Sequence, residues 1–286
     1  MSSSVTALHP APKAQTARPM TRVAIAGLGA IGAALARKLG AGEIPGIELV
    51  AVSARDHDKA RATLGVSLSK LPILSLSELA SVADVVVECA PAAIFEQIVR
   101  PVVEAGKKAM VLSVGALLSH YDLVEVARVN GGQIIVPTGA LLGLDAVGAA
   151  AEGKINKITM ESRKPPAGLM GAPHLIEHKI NIEGLKEPLR VFEGTAREAA
   201  KGFPANLNVA VALSLAGIGP DNTRLEIWAD PTITRNTHRI TIDSDSAHID
   251  MKIENIPSEN PKTGRITALS VISALRKLTS PLRVGT

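Results

Sequence analysis

The chain has 286 residues, of which 46% are apolar, 20% charged and 2% aromatic, and it carries a net charge of +4. That length accommodates two ordinary domains, the scattered Lys and Arg exclude a nucleic-acid groove, and no run approaches the ~18 apolar residues of a membrane span. Cys89 is the one cysteine, which leaves no intramolecular disulfide or cysteine metal cluster and fits a reducing, cytoplasmic setting.

Residues 1–20 are rich in Ser, Ala and Pro and lack the apolar middle of a secretory signal, so they read as a disordered tail. From Arg22 onward, short apolar runs alternate with amphipathic stretches: RVAIAGLG (strand), AIGAALARKLG (helix), IELVAVSAR (strand) and HDKARATLG (helix). This βαβ pattern predicts a parallel sheet covered by helices. It continues with a short strand at Pro72–Leu74, a helix opened by Ser75 or Ser77, and DVVVECAP, whose unbroken valines suit a strand buried on both faces. A helix over Pro91–Ala105, the strand KAMVLSV, a helix around Tyr121–Val129 and the strand QIIVPTG complete the unit.

After Gly139 the pattern changes. A small-residue helix in ALLGLDAVGAAAEG leads to the alternating KINKITMESRKPP, and a Pro/Gly-rich connection runs through Pro173. A helix over Phe203–Gly217 follows, then three alternating segments, NTRLEIWAD, TRNTHRITID and SAHIDMKIEN, that suggest an antiparallel, open-faced sheet. The last helix, about Arg265–Leu278, is amphipathic. The expected fold is α/β: a Rossmann-type parallel-sheet domain over 21–137, then an α+β substrate and dimerisation domain over 138–263 with a mostly antiparallel sheet. The segment 264–286 is expected to pack back on the first domain.

Gly27-Leu28-Gly29-Ala30-Ile31-Gly32 matches G-x-G-x-x-G between a predicted strand and a predicted helix, the context that gives the motif its meaning. The first Gly permits the tight turn, the second lets the backbone approach a pyrophosphate, and the third allows close helix packing. NAD sites usually place an acid at the second strand's tip; here the tip reads Val52-Ser53-Ala54-Arg55-Asp56. Ser53 and Arg55 are suited to a 2′-phosphate, with Asp56 left to cap the next helix, so NADP should be accepted at least as well as NAD. Ala90 and Pro91, where the third strand ends, are counted with the cofactor contacts.

Hydride transfer requires no metal, only a substrate carbon held against the nicotinamide, a proton carrier and cations for carboxylates. His174 and His178 form an i, i+4 pair without a third ligand nearby, and His248 fits a solvated strand face. His238 differs: Asn236 lies two residues before it on the same strand face, after the chain-reversing Asp230-Pro231. A near-neutral imidazole there would serve as general acid or base.

The chain resembles the L-aspartate dehydrogenase family in the GLGAIG turn, VPTGALLGLDAV at 136–147, RKPP at 163–166, GFPANLNVAVALSLAGIGPDNT at 202–223, ADPTITRNTHRI at 229–240 and NPKTGRITALSVISALRKL at 260–278. The resemblance implies reversible oxidation of L-aspartate by NAD(P) to iminoaspartate, which hydrolyses to oxaloacetate and ammonia or feeds NAD biosynthesis. It also implies that His238 is catalytic, that Ala140 and Asn208 contact the dinucleotide, with Asn206 competing for the Asn role, and that the chain forms a homodimer. Family members often carry a YDRD-like run where this chain has SARD, which removes the basis for strict NAD specificity. The expected mechanism has His238, oriented by Asn236 or a backbone group, activating water against the imine carbon; Arg163, Lys164 and Lys262 are candidates for the substrate carboxylates. The rivals are a homoserine dehydrogenase-like or dihydrodipicolinate reductase-like enzyme and a dinucleotide sensor without turnover. Cys89 closes a buried strand and does not suit the nucleophile of a semialdehyde-type enzyme.

Overall fold

The computed structural model describes residues 19–204, 207–257 and 264–285. Nearly all of the expected tail, together with Asn206 and Lys262, lies outside the described residues.

The first half contains β1 (Thr21–Ala26), α1 (Ala30–Gly40), β2 (Ile47–Ser53), α2 (His57–Leu64), α3 (Leu79–Val82), β3 (Val85–Glu88), α4 (Phe95–Glu104), β4 (Lys108–Val111), α5 (Val114–Leu117), α6 (Asp122–Asn130) and β5 (Gln133–Ile135). Its five strands form a wholly parallel sheet in the order β2-β1-β3-β4-β5. Both faces of β3 are buried, which is why its sequence is an unbroken run of valines. The expected strand at Pro72–Leu74 is a correction: Ile73 makes a single bridge to Val52, and no strand forms. A proline at its start and Ser75 bonded to the Glu78 carboxylate favour a turn there.

The second half contains α7 (Leu144–Ala151), β6 (Ile155–Lys164), α8 (Pro173–Glu177), β7 (Leu189–Thr195), α9 (Ala196–Gly202), α10 (Asn208–Ala216), β8 (Thr223–Ala229), β9 (Asn236–Ser244), β10 (His248–Asn255) and α11 (Ile266–Thr279). Its sheet has the order β10-β9-β6-β8-β7. The expected antiparallel trio is only partly right, because β6 inserts between β8 and β9, pairing parallel with β8 and antiparallel with β9. β7 adds an edge strand that alternation did not reveal, since a register shift between Arg190 and Phe192 breaks its pattern.

One face of this sheet is packed by Leu213, Phe203, Leu169 and their neighbours against Met160, Ile240 and Leu225. The last helix returns to the first sheet: Val271 and Leu275 of α11 are buried with Leu35 and Leu39 of α1, and the Thr279 hydroxyl donates to the Pro45 carbonyl at 2.9 Å. α10 bridges the halves, with Val211 and Ala212 packed on Val114.

Candidate active site

The glycine turn is shaped by what its neighbours leave room for. Gly27 has φ +99°, and a Cβ there would meet the Cys89 carbonyl oxygen at 2.7 Å, so the β1–α1 turn closes only around glycine. Gly32 presses α1 onto the same turn, where a Cβ would meet the Gly27 carbonyl oxygen at 2.0 Å. Gly29 is different, for a Cβ at that position would meet nothing within 4 Å. It faces open space at the N-terminus of an eleven-residue helix that no side chain caps, a cradle that fits a dinucleotide's pyrophosphate.

That cradle opens onto a cleft of about 440 Å³ between the two sheets. Gly29, Ala30, Ile31, Ala90 and Pro91 line its first-sheet side, and Ala140, Lys164, Asn208, Asn236 and His238 line the other. Gly27 and Gly32 support the turn from behind. At the tip of β2, Ser53 is buried and its carbonyl accepts from the Gly27 N–H at 2.8 Å, while Arg55 is exposed beyond it. The Asp56 carboxylate accepts from the Lys59 N–H at 3.0 Å and so caps α2, as expected. Asn208 has its side-chain oxygen taken by the Gly115 N–H at 3.0 Å, which leaves its amide N–H₂ for the cleft.

The polar edge on the second sheet is a matter of register. Ser162 on β6 stands opposite His238 on β9, which stands opposite Ile253 on β10; two residues on, Asn236 stands opposite Asn255. Strand alternation turns these side chains and Lys164 toward the helices and the cleft. Arg163, adjacent to Lys164 in sequence, is turned to the opposite face. It binds Glu161 at 2.7 Å and Asp230 at 3.2 Å, stacks 4.6 Å over Trp228, and lines a separate surface cleft with Arg235, so the structure does not bring it to the site. Among the described residues lining the main cleft, Lys164 is the one Lys or Arg.

Burial holds the Lys164 ammonium down to about 8, and burial together with the positive charge of Lys164 pushes His238 down to about 3. The expected near-neutral histidine is therefore corrected: the imidazole is neutral across the physiological range. Its orientation also comes from another source than expected. Nδ1 of His238 lies 3.0 Å from the Ser162 hydroxyl, and the partner is not Asn236.

Three further residues at the site escaped the sequence reading: Glu88 and Asn255 line the cleft, and Ser162 lies behind it against His238. Glu88 is fully buried at the end of β3 and accepts from the backbone N–H groups of Ala90, Leu112 and Ser113 and from the Ser113 hydroxyl, at 2.8–3.1 Å. It ties together the two strand ends that floor the cofactor side, and burial raises its pKa against those donors. The available signal was an acid ending a run of valines. Asn255 donates to the Ala140 carbonyl at 3.0 Å and so fixes the loop after β5. Ser162 gave no signal beyond a small residue in an alternating strand. Among the described residues no group of three or more His, Cys, Asp or Glu could hold a metal ion, and no helix is long and apolar enough to cross a membrane.

A phosphate-cradling βα turn that faces a buried histidine and lysine across one cleft defines the class of nicotinamide-nucleotide-dependent oxidoreductases. The family model described as the homoserine dehydrogenase NAD binding domain matches residues 27–137, and the model described as the aspartate dehydrogenase C-terminal region matches residues 145–278. The chain is 61% identical to L-aspartate dehydrogenase 3 of Bordetella bronchiseptica over 92% of its own length and 97% of that protein's. It is 59% identical to L-aspartate dehydrogenase of Bradyrhizobium diazoefficiens over 95% and 96%. The crystal structure of aspartate dehydrogenase from Thermotoga maritima superposes with a TM-score of 0.72 at 25% identity, covering 94% of this chain and 100% of that one. The chain belongs to the L-aspartate dehydrogenase family.

Proposed function

We propose that the protein oxidises L-aspartate with NAD(P)⁺ to iminoaspartate, which hydrolyses to oxaloacetate and ammonia or feeds NAD biosynthesis. The observation that carries this reading is the neighbourhood of one buried cation, Lys164, and one buried neutral histidine, His238, on the strand edge that faces the glycine turn. When bound, the nicotinamide supplies the hydride acceptor for the substrate Cα.

The chain's own groups do the rest. Lys164 pairs with a substrate carboxylate in a desolvated site, where a charge-assisted bond is strong. His238 stands at the reacting carbon, with Asn236 beside it. Gly29, Ala30 and Ile31 hold the pyrophosphate on the turn that Gly27 and Gly32 shape, Ala90, Pro91 and Ala140 flank the nicotinamide end, and the amide N–H₂ of Asn208 reaches the dinucleotide. Lys262 stays a candidate for the second carboxylate by resemblance alone.

At the adenosine end, Asp56 is occupied as a helix cap, so Ser53 and Arg55 are left to meet a 2′-phosphate. NADP⁺ is then used at least as well as NAD⁺, and Arg55→Ala raises the KM for NADP⁺ roughly tenfold with little change for NAD⁺. Strong NAD⁺ preference unaltered by that substitution would remove the assignment. The family resemblance supports a homodimer formed through the second sheet, and the single cysteine suits a cytoplasmic enzyme; a monomer in sedimentation equilibrium would end the first of these.

The deciding assay is absorbance at 340 nm with both cofactors over a panel of amino and hydroxy acids. Aspartate should be the preferred substrate. Turnover of homoserine in its place would restore the rival suggested by the first half's family model, and no turnover with any compound would favour a sensor.

A further inference from the structure

The Ser162 and His238 side chains meet in a narrow place. They are 1% and 3% exposed, they face each other across the β6–β9 ladder, and their row is closed by Ile227 of β8 on one side and Ile253 of β10 on the other. The 3.0 Å contact to Nδ1 is the one hydrogen bond that the Ser162 hydroxyl makes among the described residues. The other ring nitrogen, Nε2, is left to the cleft that His238 lines.

Donor counting settles which nitrogen carries the proton. A hydroxyl has one proton to give, and a neutral imidazole has one N–H and one lone pair. With Nδ1–H donating to Ser162, the hydroxyl proton would be buried between two isoleucines with no acceptor, an arrangement that folded proteins avoid. With the hydroxyl donating to Nδ1, both groups are satisfied and the ring proton sits on Nε2, toward the cleft. The positive charge of Lys164 on the same face, and the apolar row, keep the ring from taking a second proton. Among the described residues no carboxylate is bonded to the ring to favour an imidazolium: Glu88, the acid that lines the cleft, is occupied by its four donors.

We propose that Ser162 is a positioning residue that fixes His238 as the Nε2–H tautomer, so that the histidine meets the substrate as a neutral hydrogen-bond donor and not as a base. This rests on the reading above that His238 faces the reacting carbon. In the amination direction the Nε2–H bond polarises the keto oxygen of the 2-oxo acid as the C–N bond to ammonia forms; two ammonia protons pass to that oxygen, which leaves as water when the C=N bond forms. In the reverse direction water returns both protons to nitrogen while the same donor holds the carbinolamine oxygen. No proton leaves the ring in either direction. Water activation by His238 as a base is thereby excluded.

The test is the ring's own nitrogen spectrum. In full-length protein labelled with ¹⁵N-histidine, two-bond proton–nitrogen correlation reports which ring nitrogen is protonated, and His238→Gln identifies the signal by its loss. The expected result is Nε2 protonated and Nδ1 bare, unchanged from about pH 6 to 9. Ser162→Ala should show both tautomers, with kcat down roughly five- to tenfold, the worth of one neutral hydrogen bond, and the KM for the dinucleotide unchanged. Ser162→Thr, which keeps the hydroxyl, should keep the wild-type spectrum and most of kcat. A wild-type ring protonated on Nδ1, or a Ser162→Ala spectrum identical to wild type, overturns the proposal. The wild-type spectrum decides even where Ser162→Ala fails to fold, and it needs no turnover: an Nε2–H ring in a protein inert toward aspartate would sink the activity and leave the tautomer standing.

Discussion

Arg163 and Lys164 are neighbours in sequence and opposites in physics. On the outer face of the second sheet, Arg163 is half-buried, pairs with two carboxylates and stacks on an indole, and those partners keep its charge secure. On the inner face, Lys164 is 4% exposed and burial weakens its hold on the proton. The same alternation sets Thr237 and Arg239 outward and Asn236 and His238 inward. Type of residue is therefore a poor guide to the site on these strands; parity along the strand is the better one. A charge on the outer face is set among carboxylates and an indole, whereas the charge on the inner face is buried and held below its ordinary pKa.

The contrast is broken or sharpened most strongly at His238. His238→Ala should lower kcat by about 10²–10³-fold, the loss typical of one preorganised donor to a developing oxyanion, with dinucleotide affinity nearly unchanged. Activity within a few-fold of wild type would mean that the inner face is not the reacting face. Next come the two cations. Lys164→Met should raise the KM for aspartate about 100-fold, because a buried charge-assisted pair is lost, while Arg163→Met should change it less than about twofold. Equal effects in steady-state kinetics would erase the distinction between the faces.

How much of this the chain disclosed in advance follows from the range of the interactions involved. The first sheet was readable because its causes are local: apolar runs set the strands, and the glycines answer contacts within one βα turn. The order of the second sheet was not, since about 60 residues of chain separate β6 from β8 and about 70 separate it from β9, and alternation says nothing about neighbours. His238 and Asn236 stood out as polar residues on an apolar strand face. Ser162 did not, because one hydroxyl costs an alternating pattern nothing; its meaning lies wholly in what stands opposite. Arg163 drew attention through its sequence block, and parity then placed it elsewhere.

The glycine turn supplies a smaller effect that separates ligand space from packing space. Gly29→Ala puts a methyl where the protein has nothing within 4 Å, so thermal stability should hold while dinucleotide affinity falls some tens of fold. Gly32→Ala meets the Gly27 carbonyl and should cost about 3 kcal/mol of stability. Paired melting and binding curves distinguish the two, and a Gly29→Ala protein that binds normally would move the pyrophosphate off this turn.

Least in magnitude, but most direct on the inner face, is the response of stability to pH. His238 falls from 6.5 to about 3 on folding, so between those values the unfolded chain holds a proton that the folded chain does not. Stability is then complete above about pH 6.5 and declines as pH drops, by about 1.4 kcal/mol per unit at most for one group. Lys164 works in the other window: lowered from 10.5 to about 8, it penalises folding at every pH below about 8, and the penalty is relieved as pH climbs toward 10.5. Outer-face pairs such as Arg239 with Asp250 slope the same way in a more acid window, since the lowered carboxylate pKa favours folding until acid reaches it. Urea midpoints measured between about pH 6.5 and 5, above the usual carboxylate range, should fall more steeply in wild type than in His238→Gln, where His174, also held below its ordinary value by burial, still contributes a slope. Parallel slopes in the two proteins would show that His238 is solvated in the folded state, and the inner face would lose the property that sets it apart.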